Sequence, residues 1–486
     1  MKKRVLAAIL ASATILSVVG CSNNNTSGDS KDSSVADSGS SSVASGDSSA
    51  ADASSDASSD AGDAVELKDD GDCLTILAWT SNADIDGLVK FFIENTDYTE
   101  DQIKWVGVGE NGEGARDQYK QYLLGNDDAD LMVCDADWIT DYINDESLTA
   151  PYSAIGLSKA DFTDAFSYVL DYGTAADGTF KAASFQATPG GFLYRADLAK
   201  EYLGVNSPAE MQELVKDWDT FQATANKLFE ASGGKVAMQA TESGMWQVYQ
   251  SNRTQAWVVD GKLVMDNAEG FYDIAKSMSD AGTLTNIAGM WEPEWTAAFN
   301  DGSVFGDFVP TWGLANTGLN SLVEMAAGAK FDENGECTST VLTSDQLALC
   351  EGPSGWFWGG SYFAVSNKCD NKTIAKDFIE FYCKNADTMG AYSAKTGDFM
   401  NNKAAMSTAT ASNKYLKDNQ NHFEILVSVL DRLDLSNKLT VYDSVIKGLF
   451  NDSVAGYIKG TYATKEEAIE AFKDGVAAKY PDIVIE

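Results

Sequence analysis

The residues of this chain best suited to chemistry are its eleven tryptophans and the carboxylates beside several of them. Trp138 follows Asp135 and Asp137, and Trp246 lies four positions after Glu242. An indole ring offers a flat apolar face to the CH groups of a sugar ring, and a carboxylate accepts hydrogen bonds from neighbouring hydroxyl groups. Each tryptophan alone fits a core position equally well, but the set as a whole favours a carbohydrate-binding cleft.

Most of these tryptophans lie where a predicted strand or helix meets a loop, as Trp79 and Trp312 do at the ends of strands. In open α/β sheets, ligands bind at the carboxyl ends of the strands, so residues in such positions gather around one site. Placement and residue type add three further candidates: Trp291, Trp295 and Trp358. Two other tryptophans, inside a strand and in a first helical turn, are expected in the core: Trp105 and Trp218.

Histidine-based catalysis is close to excluded, because His422 is the single histidine. No Ser-His-Asp triad with a well-placed partner can be argued, and a multi-histidine metal site cannot form. The acidic run from Asn126 to Asp130 lacks the spacing of an EF-hand and is typical of a solvated turn. We therefore predict no catalytic residue, no metal and no cofactor.

The glycines from Gly107 to Gly112 match the dinucleotide-binding spacing G-x-G-x-x-G. The match follows the second predicted strand rather than the first, and Glu110 within it would repel a pyrophosphate. We expect a glycine loop at the edge of a cleft instead.

Strong acidity limits the possible partners. The net charge is −38, and residues 1–72 carry −7 of it, so residues 73–486 carry −31. Such a surface disfavours nucleic acid, anionic lipid and negatively charged ligands.

The N-terminus has the pattern of a secretory signal peptide over residues 1–21. Lys2 to Arg4 are basic, and the apolar run from Val5 to Val19 is shorter than the roughly 20 residues of a membrane span. Small residues before Cys21 resemble the bacterial lipobox, in which that cysteine is lipidated and becomes the mature N-terminus. Residues 22–72 are rich in Ser, Asp and Ala and predict a disordered tether.

Apolar patterns along the rest of the chain predict strands that alternate with helices. Leu74 to Trp79 is a predicted strand, and apolar residues from Ile85 to Ile93 recur with the period of an amphipathic helix. A strand at 103–108, a helix at 115–124 and a strand at 131–134 repeat the alternation, which is typical of a parallel sheet flanked by helices. Later segments continue the pattern, with strands at 190–195 and 362–366 and helices after Asp217, around 374–382 and around 466–472.

Seven cysteines include six besides Cys21, and their spacing fits no zinc site. Cys337 and Cys350 could form a local disulfide, but buried free thiols fit the sequence equally well.

Several stretches, in this order along the chain, resemble the family 1 extracellular solute-binding proteins of ABC sugar importers, which include maltose-binding proteins. The stretches are Pro189–Leu198, Asp217–Phe221, Ala298–Gly302, Gly352–Gly360, Phe378–Phe381 and Gly397–Lys403. The resemblance covers about residues 73 to 486. It implies a two-lobe periplasmic-binding-protein type II fold, with the lobes joined by hinge strands: residues 73–185 plus 358–397 form lobe 1, and 186–357 plus 398–486 form lobe 2.

The resemblance also implies roles for particular residues. Trp79 and Asn82 match the family's first-strand sugar contacts, and Asp137 matches a carboxylate that accepts sugar hydroxyl bonds. Asp135 could substitute for Asp137. Trp138 matches a position where relatives vary. Glu242 and Trp246 match the contact loop of the second lobe, and Trp312 matches an aromatic residue that stacks on the sugar.

The function that we predict is capture of a neutral carbohydrate, an oligosaccharide, for an ABC permease, by a monomer anchored to the extracytoplasmic membrane surface through Cys21. Tryptophans beside carboxylates also describe an exported glycoside hydrolase, although no acid/nucleophile pair can be placed. The same fold could bind a non-sugar solute or serve as a sensor.

Overall fold

The computed structural model describes residues 67–69, 73–82, 85–125, 128–287, 289–290, 292–324, 330–332, 337–435 and 438–485. The predicted signal peptide, most of the tether, Cys21 and Trp291 lie outside the described residues. No helix in the described part of the chain is both long and apolar enough to span a bilayer.

Twelve strands form within these residues. They are β1 (Leu74–Ala78), β2 (Ile103–Gly107), β3 (Leu131–Asp135), β4 (Ala182–Ser184), β5 (Gly190–Arg195), β6 (Val258–Val259), β7 (Lys262–Leu263), β8 (Gly306–Pro310), β9 (Lys330–Phe331), β10 (Cys337–Ser339), β11 (Leu347–Cys350) and β12 (Ser361–Val365).

The α-helices of the described residues surround these strands. They are α1 (Ile85–Glu94), α2 (Gly112–Gly125), α3 (Ile139–Ile143), α4 (Ser167–Tyr172), α5 (Ala196–Leu198), α6 (Pro208–Val215), α7 (Trp218–Ala231), α8 (Glu242–Tyr249), α9 (Glu269–Asp280), α10 (Pro293–Asp301), α11 (Thr311–Leu314), α12 (Asn316–Val323), α13 (Lys372–Cys383), α14 (Ala386–Thr396), α15 (Lys403–Thr408), α16 (His422–Asp431), α17 (Asp443–Ile458) and α18 (Lys465–Lys479).

The larger sheet, sheet 1, has the strand order β2-β1-β3-β12-β4. β1 pairs in parallel with β2 and β3, whereas β12 runs antiparallel between β3 and β4. The sequence pattern predicted the parallel part, and the helix from Ile85 and the strands at 103 and 131 are confirmed. The antiparallel return of β12 makes the sheet mixed.

The second sheet, sheet 2, is antiparallel throughout, in the order β11-β5-β8. The predicted strand from Gly190 to Arg195 is its central strand and is buried along its whole length. Asp217 caps α7 as predicted, because its carboxylate accepts a hydrogen bond of 2.7 Å from the amide of Thr220.

Three segments of the chain pass between the two sheets, and we call them the crossing segments: 185–189, 351–360 and 397–402. The first joins β4 to β5, and the second joins β11 to β12. All three lie side by side, because Gln186 pairs with Met400 and Pro189 pairs with Phe357 as isolated antiparallel bridges. Side chains strengthen this contact, since the Gln186 amide donates a hydrogen bond of 2.5 Å to Asp398.

One expectation changes, for Asp130, and one alternative that the sequence left open is decided, for Cys350. Asp130 is 1 % exposed rather than part of a solvated turn. Its carboxylate accepts hydrogen bonds from the amides of Thr75, at 2.8 Å, and of Asp370 and Asn371, both at 3.1 Å, so it ties β1 to the segment before α13. Cys350 is a buried free thiol.

Gly190 in β5 packs closely against Trp356 of the second crossing segment. A Cβ atom at Gly190 would overlap the ring of Trp356 and lie 2.8 Å from the carbonyl oxygen of Val309. Trp356 itself is completely buried, so it has little freedom to move away.

We predict that Gly190→Ala lowers the free energy of unfolding by about 1–3 kcal/mol, because it overpacks a rigid site. Gly390→Ala is the matched control. Gly390 lies inside α14 with nothing within 4 Å of its Cβ position, so this change should be neutral or stabilise by about 0.5–1 kcal/mol. Urea unfolding curves of both variants test this, and equal midpoints would contradict it.

Candidate functional site

A cleft of about 1250 Å³ lies at the carboxyl end of β3. One wall comes from the first turns of α2 and from the residues after β3, and the opposite wall comes from α17. Trp312 and Trp358 also line the cleft. The lining residues are Asn111, Gly112, Gly114, Arg116, Asp117, Asp135, Asp137, Trp138, Met290, Trp312, Trp358, Ser444, Val445, Lys447, Gly448, Leu449, Asn451 and Asp452.

The predicted glycine loop contributes to this wall through its last two residues, Asn111 and Gly112. The loop is held to the end of β1 by two backbone hydrogen bonds. Thr80 donates to the carbonyl of Gly109 at 2.8 Å, and Ser81 donates to that of Glu110 at 3.0 Å. The loop therefore brings the first turn of α2 beside the end of β3.

Trp312 and Trp358 form a perpendicular pair of indoles. Their ring centroids are 5.6 Å apart with an interplanar angle of 68°, and the Trp312 indole N–H donates to the carbonyl of Trp358 at 3.1 Å. Trp358 is fixed in turn by its backbone N–H, which donates to Thr188 at 3.0 Å. Both side chains are only partly buried, so they leave indole surface on the cleft.

Asp135 lies next to this pair. One carboxylate oxygen accepts a hydrogen bond of 2.8 Å from the amide of Asp137, and the other lies 3.5 Å from the Cβ position of Gly359. Burial raises the pKa of Asp135 to about 7, and the charge of Asp137 adds to the effect while Lys447 opposes it. This carboxyl group therefore exchanges a proton near neutral pH.

An ion pair spans the cleft between Asp137 and Lys447, with 3.0 Å between the carboxylate oxygen and the ammonium nitrogen. The two residues are 310 positions apart in sequence, at the end of β3 and in α17. Arg116 lies in the wall formed by α2, and its Nε–H donates a hydrogen bond of 2.7 Å to the carboxylate of Asp141. Each cation of the cleft therefore has a carboxylate partner.

Trp138 lies in the wall that α2 and the residues after β3 form, and it is 3 % exposed. Its ring packs edge to face on Tyr119, with centroids 5.7 Å apart. Its indole N–H is buried and has no hydrogen-bond partner within the described residues. A buried donor of this kind is normally satisfied by a partner or by water.

A smaller cavity of about 70 Å³ adjoins the cleft, because Asp137, Ser444 and Lys447 line both. Its polar lining includes Gln247, Gln250, Arg253 and Asp443. Burial raises the pKa of Asp443 to about 6 and lowers that of Arg253 to about 10. The Arg253 guanidinium lies 3.6 Å from the centre of the Trp257 ring.

Of the predicted binding residues, the structure gathers five in the cleft: Asp135, Asp137, Trp138, Trp312 and Trp358. Trp79 and Asn82 are not among its lining residues. The Asn82 side chain instead accepts a hydrogen bond of 3.3 Å from the amide of Ile85, at the start of α1. Glu242 is the first residue of α8 and does not line the cleft.

Two predicted contacts are corrected, because Trp246 and Trp295 are completely buried. The Trp246 ring packs on Phe450 with centroids 4.2 Å apart, in the core beside sheet 2. The Trp295 indole donates to the carboxylate of Asp307 at 2.6 Å. Neither indole has a face to offer a ligand in this conformation. Burial raises the pKa of Asp307 to about 6.

Sequence reasoning missed the wall formed by α17, including Lys447 and Asp452. The one signal was a single basic residue, Lys447, among the 16 residues of α17. The single histidine is structural, because His422 is 1 % exposed, shares a hydrogen bond of 2.8 Å with the carbonyl of Gly397, and has its pKa lowered to about 4 by burial.

Comparison with known proteins places the chain in a family. The sequence profile described as "Bacterial extracellular solute-binding protein" matches residues 95–420. The chain therefore belongs to the bacterial extracellular solute-binding proteins. A search of curated protein sequences found no match.

Solved structures of family 1 binding proteins share the fold. A crystal structure titled only as an extracellular solute-binding protein of family 1 superposes with a TM-score of 0.68 at 16% identity, over 83% of this chain and 100% of that one. The ABC-transporter-associated binding protein of B. animalis subsp. lactis superposes with a TM-score of 0.64 at 16% identity, over 87% of this chain and 100% of that one. The GacH receptor of Streptomyces glaucescens superposes with a TM-score of 0.61 at 15% identity, over 85% of this chain and 98% of that one. The predicted type II binding-protein fold is confirmed.

The raised pKa of Asp135 predicts how stability depends on pH. Between about pH 4, the ordinary pKa of an aspartate, and about pH 7, the folded chain holds a proton that the unfolded chain has released. The contribution of this group to stability therefore falls as pH rises through that window. Asp135→Asn removes this titration, so its melting temperature should fall less than that of the wild type from pH 4 to pH 7. Parallel melting curves would contradict the assignment.

Proposed function

We propose that this protein captures a neutral carbohydrate, an oligosaccharide, in the cleft and delivers it to an ABC permease. The observation that carries the proposal is the partly exposed indole pair of Trp312 and Trp358 beside the carboxylates of Asp135 and Asp137. Indole faces take the apolar side of a sugar ring, and carboxylates take its hydroxyl groups.

The ligands named for the structural relatives support a sugar without choosing one. The B. animalis protein is described in complex with β-1,6-galactobiose, and the GacH receptor in complex with acarbose. UgpB of Mycobacterium tuberculosis, at 13% identity and a TM-score of 0.63, is described with glycerophosphocholine. A non-sugar solute is therefore the first alternative to include in any screen.

We further propose that the chain is divided into two lobes, residues 73–185 plus 358–397 and residues 186–357 plus 398–486. Each division falls at one of the crossing segments, and the cleft residues come from both parts. Closure of the lobes around a ligand would give the permease a form to recognise. In this arrangement the protein works as a binding protein and not as an enzyme.

A hydrolytic role would need two carboxyl groups on opposite sides of a glycosidic bond, about 5–5.5 Å or 6.5–9.5 Å apart. Glu242, the carboxylate that could face Asp135 or Asp137 in such a pair, begins α8 and does not line the cleft. Product release during a binding assay would overturn the proposal that no catalysis occurs.

Membrane attachment is proposed to depend on Cys21. Expressed in a bacterium with a lipoprotein pathway, the wild-type chain should sediment with membranes and incorporate labelled palmitate. Cys21→Ser should appear in the soluble extracytoplasmic fraction without label. Cys73→Ser is the matched control and should behave as the wild type. Label retained in Cys21→Ser would contradict the anchor.

The ligand itself is tested by a thermal-shift screen against mono- and oligosaccharides, peptides and glycerophosphocholine, with calorimetry on each hit. A ligand at a hundredfold excess over its dissociation constant adds about 2.7 kcal/mol of apparent stability. A shift with a sugar supports the proposal. A shift only with peptides or other solutes keeps the binding role and removes the carbohydrate.

For a sugar found in this way, Trp312→Ala should weaken binding by about 1–3 kcal/mol, because the ring loses its stacking surface. Trp312→Phe keeps an aromatic face and should lose less. Trp105→Ala is the control, since Trp105 lies in the edge strand β2 and does not line the cleft. Calorimetric affinities that are equal for Trp312→Ala and the wild type would remove Trp312 from the site.

A further inference from the structure

The charges around the cleft do not balance. Its lining includes four carboxylates and two cations: Asp117, Asp135, Asp137, Asp452, Arg116 and Lys447. Both cations already have partners, since Lys447 pairs with Asp137 at 3.0 Å and Arg116 pairs with Asp141 at 2.5 Å. Among the described residues, no cation forms an ion pair with Asp135, Asp117 or Asp452.

The imbalance is centred on Asp135, which is the least solvated of the unpaired carboxylates. Asp117 and Asp452 are exposed to water at the rim, whereas Asp135 lies beside Gly359 and the Trp312 indole. When Asp135 is ionised, Asp135, Asp137 and Lys447 together carry two negative charges and one positive charge. One more positive charge beside Asp135 would bring the net charge of these three side chains to zero.

A second and independent observation concerns another residue that lines the same cleft. The buried indole N–H of Trp138, at the base of this wall, lacks a hydrogen-bond partner in the described structure. The position of a Cβ on Gly112, another lining residue, would be 3.8 Å from that nitrogen. A ligand hydroxyl oxygen can accept this hydrogen bond.

The aromatic walls suit a cation as well as a sugar ring. An ammonium group near an indole face is attracted by the negative face of the ring, and the attraction is larger where water is excluded. Trp312 and Trp358 present such surfaces next to Asp135. The combination of indole faces with one uncompensated carboxylate is the chemistry that recognises an ammonium group.

We infer that the cleft prefers a sugar that carries an ammonium group, an amino sugar, with the ammonium bound at Asp135 and the sugar ring against Trp312 or Trp358. The inference rests on the proposed function and changes one part of it: the ligand is still a carbohydrate, but the preferred one carries a positive charge and the neutral sugar binds more weakly. It also gives a use to the charge of −31 on residues 73–486, since an acidic protein raises the local concentration of a cation.

The inference predicts a proton exchange that a neutral sugar does not cause. The groups that face Asp135 are Asp137 and Lys447, and burial with the charge of Asp137 raises the pKa of Asp135 to about 7. At pH 7 the carboxyl group is therefore protonated in about half of the molecules. An ammonium ligand favours the ionised form, so its binding should release up to about half a proton.

The experiment is calorimetry at pH 7 on the secreted chain in detergent, with matched pairs of sugars as probes. The pairs are glucosamine with glucose, galactosamine with galactose, and the β-1,4 dimer of glucosamine with its N-acetylated counterpart. Titrations in phosphate and in MOPS, which differ in ionisation enthalpy, give the number of protons released. The amino sugar of at least one pair should bind about tenfold more tightly than its parent and release protons.

Asp135→Asn should abolish both the preference and the proton release, while melting curves show that the variant is folded. Asp474→Asn, an exposed carboxylate on α18, is the matched control and should retain both. Neutral sugars that bind as tightly as their amino counterparts would overturn the inference and leave the proposed function standing. A preference that survives in Asp135→Asn would also overturn it. If no sugar of either kind binds in these titrations or in the thermal-shift screen, both proposals fail.

Discussion

The structure depends on the backbone contact between three chain segments that are far apart in sequence. Gln186 pairs with Met400, and Pro189 pairs with Phe357, so the connections between the two sheets form one hydrogen-bonded unit. The position of the cleft follows from this contact, because Trp358 lies in one crossing segment and is fixed by a hydrogen bond to Thr188 in another. The carbonyl of Gly360 then accepts from the amide of Ala136, which sets Asp135 beside the indole pair. One set of backbone bonds thus positions both the aromatic and the acidic part of the site.

Buried carboxylates stabilise this frame in a protein whose surface is strongly acidic. Asp130 and Asp398 each accept hydrogen bonds from groups distant in sequence, and Asp307 holds Trp295 and Gln239 within the core. Such groups are costly to bury unless their hydrogen bonds are made, and in return they fix the partners in one geometry. Asp135, in the cleft, differs from them, since among the described residues its carboxylate accepts one hydrogen bond, from the nearby backbone amide of Asp137. The difference separates carboxylates that hold the fold from the one available to a ligand.

Local patterns were enough to predict much of the fold. The helix from Ile85, the cap at Asp217 and the strand from Gly190 follow from side-chain periodicity and capping chemistry, which act over a few residues. The site was predicted less completely, because the exposure of a tryptophan depends on packing between distant elements. Trp246 lies within α8 and Trp312 in the first turn of α11; Phe450 covers the first, whereas the cleft exposes part of the second. The sequence marked Lys447 only as a single basic residue, since its role depends on an ion pair with Asp137 that only the tertiary structure creates.

The position of β12 also sets the order in which the chain can fold. β12 lies between β3 and β4, so sheet 1 lacks an interior strand until residues 361–365 are available. The long-range pairing of β12 with β3 requires a large loop to close, which slows folding. A chain that has emerged only as far as sheet 2 therefore cannot complete its N-terminal sheet. Delayed folding of this kind keeps a nascent polypeptide extended, which is the form that a secretion channel can thread.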